Sequence, residues 1–403
     1  MNFIQKKIKP ILATSRPDYF LFTVVTILII IGIIFSYSLS IYTVNYFQYN
    51  QFHFFIRQLV VGILSILIMW TLGHIDPKIL FFKFRLGWWL FGTFLFLMVA
   101  MNFLPSSLVT ASGGANRWIR LPGFSLAPVE FFKIGFIYFL SASFYKKFND
   151  LKKITFKEEL KLLAPYGVVF AIVVVLIAVL QKDLGQVVVL ATILFVMLIF
   201  TNRSVKVFLS IIAVVFVTVI TLILSAPHRI NRFQSWWSSI QDSVLSFLPQ
   251  FLQQALRVKD FPEPYQVSNS LNAIHHGGWF GVGLSNGDLK LGFLSEVHTD
   301  FVLAGITEEL GLIGLLFIIL LLFLVIFRIF RISRRVQERR FHFFSLGVAI
   351  MISISFLINS YGISGIIPIK GIAVPFLSYG GSSILALSLA IGMILSISTQ
   401  TNK

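Results

Sequence analysis

An aspartate stands at the mouth of a long apolar run in Ser295-Glu296-Val297-His298-Thr299-Asp300-Phe301, with Glu308 and Glu309 about two turns further along it. A carboxylate at a water–lipid boundary is partly stripped of water. Its pKa rises, and it can then accept a proton as a general base. A solvated helix cap is the other reading of Asp300, and the long loop before it and the nearby carboxylates weigh against that. Glu130 and Lys133 lie three residues apart inside another apolar run, so on a helix they share a face and can neutralise each other. Such a pair serves a function or holds helices together. Gly113, Gly114, Arg117, Trp118 and Arg120 form a connecting loop, in which glycines allow close backbone approach and arginines suit an anion such as phosphate. Trp and Arg also mark ordinary membrane interfaces. The stretch from Pro368-Ile369-Lys370-Gly371 to Ser378-Tyr379-Gly380-Gly381-Ser382-Ser383 combines rigid turns, small residues and one lysine. It fits a close helix-packing site or the wall of a substrate channel. His275 and His276 are adjacent and lack the spacing of a metal pair; they read as interfacial loop residues.

The elements that must position these groups are transmembrane helices. Of the 403 residues, 57% are hydrophobic and 12% charged, more apolar surface than a soluble core hides. Apolar runs long enough to cross ~30 Å of hydrocarbon recur, and backbone in lipid must satisfy itself, which favours helix. Ten spans are expected: 20–41, 54–72, 86–104, 126–144, 163–180, 185–200, 205–224, 301–327, 341–364 and 376–397. The division at Asp183 decides between ten and nine. Ten places Lys6, Lys7, Lys9 and Arg16, then Lys78, Lys83 and Arg85, then Lys146, Lys147, Lys152, Lys153, Lys157 and Lys161 on one side. Arg203, Lys206, the arginines from Arg328 to Arg340 and Lys403 fall on that side too. Basic residues in short loops favour the cytoplasm, so both termini are expected there. The expected fold is an all-α membrane protein, a single polytopic domain over 1–403, with one large extracytoplasmic loop at 225–299 between helices 7 and 8. A loop that long is usually functional. Its apolar residues from Ile230 to Leu252 recur at helical spacing, as in a helix lying in the interface or packed on the protein's own top.

The net charge of +17 then serves topology and anionic headgroups rather than nucleic acid. With no cysteine, disulfides and thiolate metal sites are excluded. The first apolar stretch is long and lacks a small-residue cleavage site, so it is expected to remain as a helix.

Several strings resemble the SEDS family (shape, elongation, division and sporulation proteins), bacterial peptidoglycan polymerases. They are Val374-Pro375-Phe376-Leu377-Ser378-Tyr379-Gly380-Gly381-Ser382-Ser383, His298-Thr299-Asp300-Phe301, Glu308-Glu309-Leu310-Gly311, Gly114-Ala115-Asn116-Arg117-Trp118-Ile119, Gln181-Lys182-Asp183-Leu184-Gly185 and Tyr265-Gln266. The likeness covers nearly the whole chain. Four family residues in three motifs are replaced, by Ala127 and Val129 before Glu130, by Lys182 before Asp183 and by Ser295 before Glu296, while the charged members remain. Lys370, Val297 and the run from Ala226 to Arg232 resemble the division type (FtsW-like) more than the elongation type (RodA-like).

The resemblance implies a glycosyltransferase that polymerises lipid II at the outer face of the bacterial cytoplasmic membrane, for septal synthesis in cell division. It implies Asp300 as the catalytic residue, Glu296 and Glu130 as supporting carboxylates, and Arg117, Lys133, Lys370, Ser378 and Gly380 as substrate-binding residues. A divalent cation (Mg or Mn) is an optional participant, since no ligand set in the sequence demands one. The implied partners are a class B penicillin-binding protein, which supplies a transpeptidase, and other divisome membrane proteins. A flippase for lipid-linked precursor and a non-catalytic division scaffold are the rival classes.

Overall fold

The computed structural model describes residues 12–13, 15–105, 107–112, 115–121, 124–148, 155–201, 204–258, 265–294 and 296–401. Lys6, Lys7, Lys9, Lys152, Lys153, Arg203, Lys403, Gly113, Gly114 and Ser295 lie outside the described residues.

Long apolar helices dominate the chain. They are α1 (Tyr19–Ser38), the short α2 (Ile41–Tyr46), α3 (His53–Gly73), α4 (Leu86–Ala100), α5 (Pro128–Phe148), α6 (Phe156–Val174), α7 (Leu184–Ile199) and α8 (Val205–Leu224). Then come α9 (Pro227–Leu245), α10 (Gln250–Leu256), α11 (Tyr265–Gly277), α12 (Val302–Arg335), α13 (Arg339–Ile363) and α14 (Gly381–Ser398). Among the described residues, six helices are long and apolar enough to cross a membrane unaided, or seven if the bent α8–α9 pair is one span; α4 and α7 are shorter apolar helices. The protein is thus a multi-pass helical membrane protein. The core is aromatic and aliphatic, with Phe132, Phe136, Tyr138 and Phe144 of α5 buried against Phe341 and Phe344 of α13 and against their neighbours.

Helix limits follow local chemistry. Asp18 caps α1 by accepting the Leu21 N–H at 3.0 Å, and its other oxygen takes Arg328 Nε at 2.7 Å, tying the start of α1 to the far part of α12. At the expected break α6 loosens into a π-helical turn, Val175–Leu180, and Lys182 adopts a left-handed φ of 50°. Asp183 then caps α7 through the Gln186 N–H at 3.3 Å. A left-handed conformation is uncommon for a residue with a side chain, so the chain is punctuated where the sequence expectation put its division.

The all-α expectation holds for this mostly helical chain, and one small sheet is added to it. The loop between α4 and α5 folds into an antiparallel sheet of β1 (Val109–Ser112), β2 (Ala115–Leu121) and β3 (Phe124–Leu126), pairing Val109 with Ile119 and Ile119 with Leu126. Alternation supplies the reason: Val109 and Ile119 point to one face and bury against Met101. The long loop is itself structured, and His275 and His276 occupy the last turn of α11 instead of a loop. The span α8 bends by 103° into α9.

The N-terminal part of α12 is spliced to the loop before it. Gly311 sits at φ 71° and ψ −176°, a region open essentially to glycine. The helical ladder opens there: Leu312 and Ile313 donate to Gly278 and Trp279, while the carbonyls of Glu308 and Glu309 accept from Val282 and Gly283. The two helical bonds opened by the kink free four backbone groups, and all four find partners across the loop, as buried backbone requires. The two carboxylates finish the splice. Glu308 Oε1 accepts the Asp288 and Leu289 N–H groups at 2.8 and 3.0 Å and faces His276 Nδ1 at 3.1 Å. Glu309 pairs with buried Lys290 at 2.7 Å and takes the Ser38 hydroxyl at 2.6 Å.

Candidate active site

Asp300 lies in the turn just before α12, in a loop held from three sides. The Thr299 and Asp300 N–H groups return to the Glu296 carbonyl at 3.0 and 3.1 Å, and Glu296 itself is left-handed at φ 56°. The Ser378 hydroxyl donates to the Thr299 carbonyl at 2.6 Å and accepts the Val374 N–H at 2.8 Å. From α13, one Asn359 amide donates to the carbonyls of both Asp300, at 2.7 Å, and Ile372, at 2.9 Å. The backbone of the aspartate is thereby fixed to the segment carrying Lys370. Gly371 crosses so close to the carboxylate that an added Cβ would stand 2.9 Å from Asp300 Oδ2.

Burial pushes the Asp300 pKa up to about 6, with the charges of Glu296 and Asp183 adding to the rise and Arg117 and Arg232 opposing it. Lys370 is moved down, first by burial and then by the like charges of Arg232 and Arg229, with Asp183 opposing. His298 is buried between Phe54 and Tyr379, and burial drives its imidazole toward the neutral form.

The other candidates assemble into one polar chain. Arg117 of β2 donates Nε to the Gln181 carbonyl at 3.1 Å and Nη2 to that of Lys182 at 2.8 Å, and stands 3.8 Å from Asp183. Glu130 and Lys133 form the expected ion pair at 2.9 Å. Gln186, on the first turn of α7, donates to Glu130 at 3.1 Å and thereby joins the pair to the helix that Asp183 caps. A crevice lined by Glu130, Lys133, Ser355, Ile372, Pro375 and Ser383 connects the pair to the Lys370 segment. Five groups named from sequence, Asp300, Arg117, Glu130, Lys133 and Lys370, thus face a common region, with Glu296 on the exposed side of the Asp300 turn.

Ser378 and Gly380, expected to meet substrate, lie in the wall beside Asp300. Ser378 is buried with its hydroxyl committed to two backbone groups, and the Gly380 N–H points to Gln58 Oε1 at 3.4 Å. Buried Gln58 also donates to the Ser378 carbonyl at 3.3 Å. Both residues brace the wall beside Asp300. Sequence reasoning did not single out Arg232, Gln186, Asn359 and Gln58 as site residues. The usable signal was polarity inside apolar runs at Gln58 and Asn359, where an amide must find partners. Among the described residues no three His, Asp or Glu side chains converge as metal ligands.

Exchanging Asn359 for alanine is expected to strand two buried carbonyls, costing about 1–3 kcal/mol, and to let Asp300 drift. A misplacement near 1 Å costs on the order of 10²-fold in rate, so kcat should fall far more than KM changes. Steady-state kinetics beside a thermal melt separate the two effects; an unchanged kcat would remove Asn359 from the positioning of Asp300.

A partly buried carboxylate and several cations gathered at one end of a multi-pass helical bundle mark a functional site, because ionisable groups at a membrane are costly to keep there. The family model described as cell cycle protein (FTSW_RODA_SPOVE) matches residues 18–403, and the chain belongs to this family. The probable peptidoglycan glycosyltransferase FtsW of Helicobacter pylori is 49% identical over 385 residues, 95% of this chain and 99% of that one. Stage V sporulation protein E of Bacillus subtilis is 30% identical over 390 residues, 95% of this chain and 97% of that one. Two solved structures share the fold at 20% identity. A chain of a peptidoglycan synthase complex has a TM-score of 0.69 over 96% of this chain and 99% of its own. The rod shape determining protein RodA of Thermus thermophilus has 0.63 over 96% and 98%.

Proposed function

We infer that the protein is a peptidoglycan glycosyltransferase that polymerises lipid II into glycan strands in the cytoplasmic membrane, in septal synthesis during cell division. The single observation that carries this reading is the end-to-end similarity to proteins named probable peptidoglycan glycosyltransferase FtsW. The Asp300 carboxylate, poised near neutral pH, gives it a chemical centre.

In this reading the chain crosses the membrane ten times, keeps both termini in the cytoplasm and carries Asp300 at the outer face. The basic loops support that orientation. The acceptor's sugar hydroxyl attacks the donor's anomeric carbon. As the new C–O bond forms, the bond from that carbon to the lipid pyrophosphate breaks, and the electron pair leaves with the pyrophosphate. Asp300 takes the hydroxyl proton. Arg117, Lys133 and Lys370 offset charge on the leaving pyrophosphate, with Glu130 orienting Lys133 and Glu296 supporting the Asp300 turn. A divalent cation (Mg or Mn) held by the pyrophosphate would add charge compensation, and none of the roles assigned to the protein's residues depends on it. A class B penicillin-binding protein is the expected partner, a reading supported by the fold shared with a chain of a peptidoglycan synthase complex that coordinates polymerization and crosslinking. Other divisome membrane proteins would contact the lipid-facing helices and the loop at 225–299.

The test is polymerisation of purified lipid II by the purified protein, with and without its penicillin-binding partner. Glycan chains are expected. Lipid translocation in vesicles with no polymer would instead mark a flippase. The pH profile is a further check: Asp300 must be ionised to act as base. The value of kcat/KM should therefore rise about tenfold per pH unit below about 6 and level off above it. A flat profile between pH 5 and 7 would remove the base assignment.

A further inference from the structure

At the end of the bundle opposite Asp300, a cavity of about 400 Å³ opens among the ends of three helices, lined by Phe82, Arg85, Trp88, Tyr138, Lys146 and Arg340 among others. We propose that this cavity binds the phosphate of an anionic phospholipid in the leaflet on that side, which is the cytoplasmic leaflet in the topology above.

Three cations enter it from separate elements: Arg85 just before α4, Lys146 in the last turn of α5 and Arg340 in the first turn of α13. Among the described residues none of the three forms an ion pair. Neighbouring like charges at the edge of a low-dielectric bundle repel, and a shared anion relieves the repulsion. Arg340 is already oriented. Its guanidinium stacks 4.4 Å above the Phe82 ring and 5.5 Å from that of Tyr145, and its Nε is buried with no acceptor among the described residues. Arg85 holds a left-handed φ of 51°, a conformation uncommon for a residue with a side chain and one that recurs at ligand clamps. The Tyr138 hydroxyl is committed to the Phe81 carbonyl at 2.5 Å, leaving the cations as the donors for a ligand.

The rim selects the source of the phosphate. Phe82 and Trp88 are each 41% exposed and Phe84 is 48% exposed, a lipid-facing aromatic edge along which acyl chains can lie. A soluble phosphate has no use for that edge. The volume falls within the ordinary range for small-molecule sites, ~300–1,000 Å³. None of these residues belongs to the Asp300 region, so the proposal stands apart from the proposed reaction.

The test uses the full chain in detergent, titrated with phosphatidylglycerol and followed by native mass spectrometry. One tightly retained lipid is expected. Retention should weaken at least tenfold in the Lys146→Gln/Arg340→Gln double variant and several-fold in Lys146→Gln alone, which removes a side chain outside the aromatic stack and should fold normally. Phosphatidylcholine at the same concentrations should be retained at least tenfold less, and millimolar inorganic phosphate should fail to displace the lipid. Equal retention by wild type and Lys146→Gln, or equal retention of phosphatidylcholine, would overturn the site. Displacement by inorganic phosphate would overturn the lipid as its occupant.

Discussion

Asparagine in place of Asp300 is expected to lower lipid II polymerisation by about 10²–10⁴-fold, the usual contribution of a positioned general base, without unfolding the protein. The stability effect has a definite sign. The folded-state pKa of about 6 lies above the ordinary 3.8, so the folded protein binds the proton more readily than the unfolded chain. Stability is highest below about pH 4 with respect to this group and declines as pH rises through about 6. At neutral pH the ionised carboxylate is a cost. A neutral asparagine of similar shape, which leaves the Asn359 bond to the backbone carbonyl intact, should therefore melt at the same temperature or higher at pH 7.5. Loss of polymer together with an unlowered melting temperature is the expected pair of results. Wild-type rates in Asp300→Asn would end the assignment.

The largest loss of stability is expected at Lys290→Met. Lys290 and Glu309 are 1% and 0% exposed and meet at 2.7 Å, and removing one partner of such a pair leaves a buried charge, at a cost of about 3–5 kcal/mol. The Ser38 hydroxyl would remain as the principal donor to Glu309. Thermal unfolding in detergent should show a large drop for Lys290→Met and substantial recovery when Glu309→Leu is added, because an apolar pair in the same space is often no less stable than the ion pair. A double variant no better than the single would mean that the carboxylate contributes through Ser38 rather than through the lysine.

The sequence was informative where physics acts locally. Apolar runs marked where the long helices lie, since hydrocarbon thickness sets their length, but α6 starts earlier, α12 ends later and α14 starts later than expected. The three-residue spacing of Glu130 and Lys133 led directly to their ion pair. The break at Asp183 was legible as an interruption of hydropathy, although its left-handed Lys182 was not. What stayed hidden depends on partners far away in the chain. Lys290 lies in the long loop, where nothing in its sequence surroundings points to the pair it closes beside Ser38. Glu309 carried the better hint, since a carboxylate inside a span needs a cation from somewhere. Gln58 and Asn359 look like minor polar interruptions until the turns they hold are brought against them. The small sheet was missed because its strands are only three to seven residues long and their alternation is brief.

The splice at Gly311 divides α12 into two mechanical parts. From Val302 to Leu310 the helix is bonded to the loop that precedes it, through backbone at 278–283 and through the Lys290–Glu309 pair. Beyond Gly311 it continues to Arg335 as a membrane rod. A push on the loop is therefore delivered to the turn carrying Asp300, while a tilt of the rod is absorbed at the glycine. In machine terms the aspartate rides on the loop's side of the joint, and the rest of α12 is its mounting.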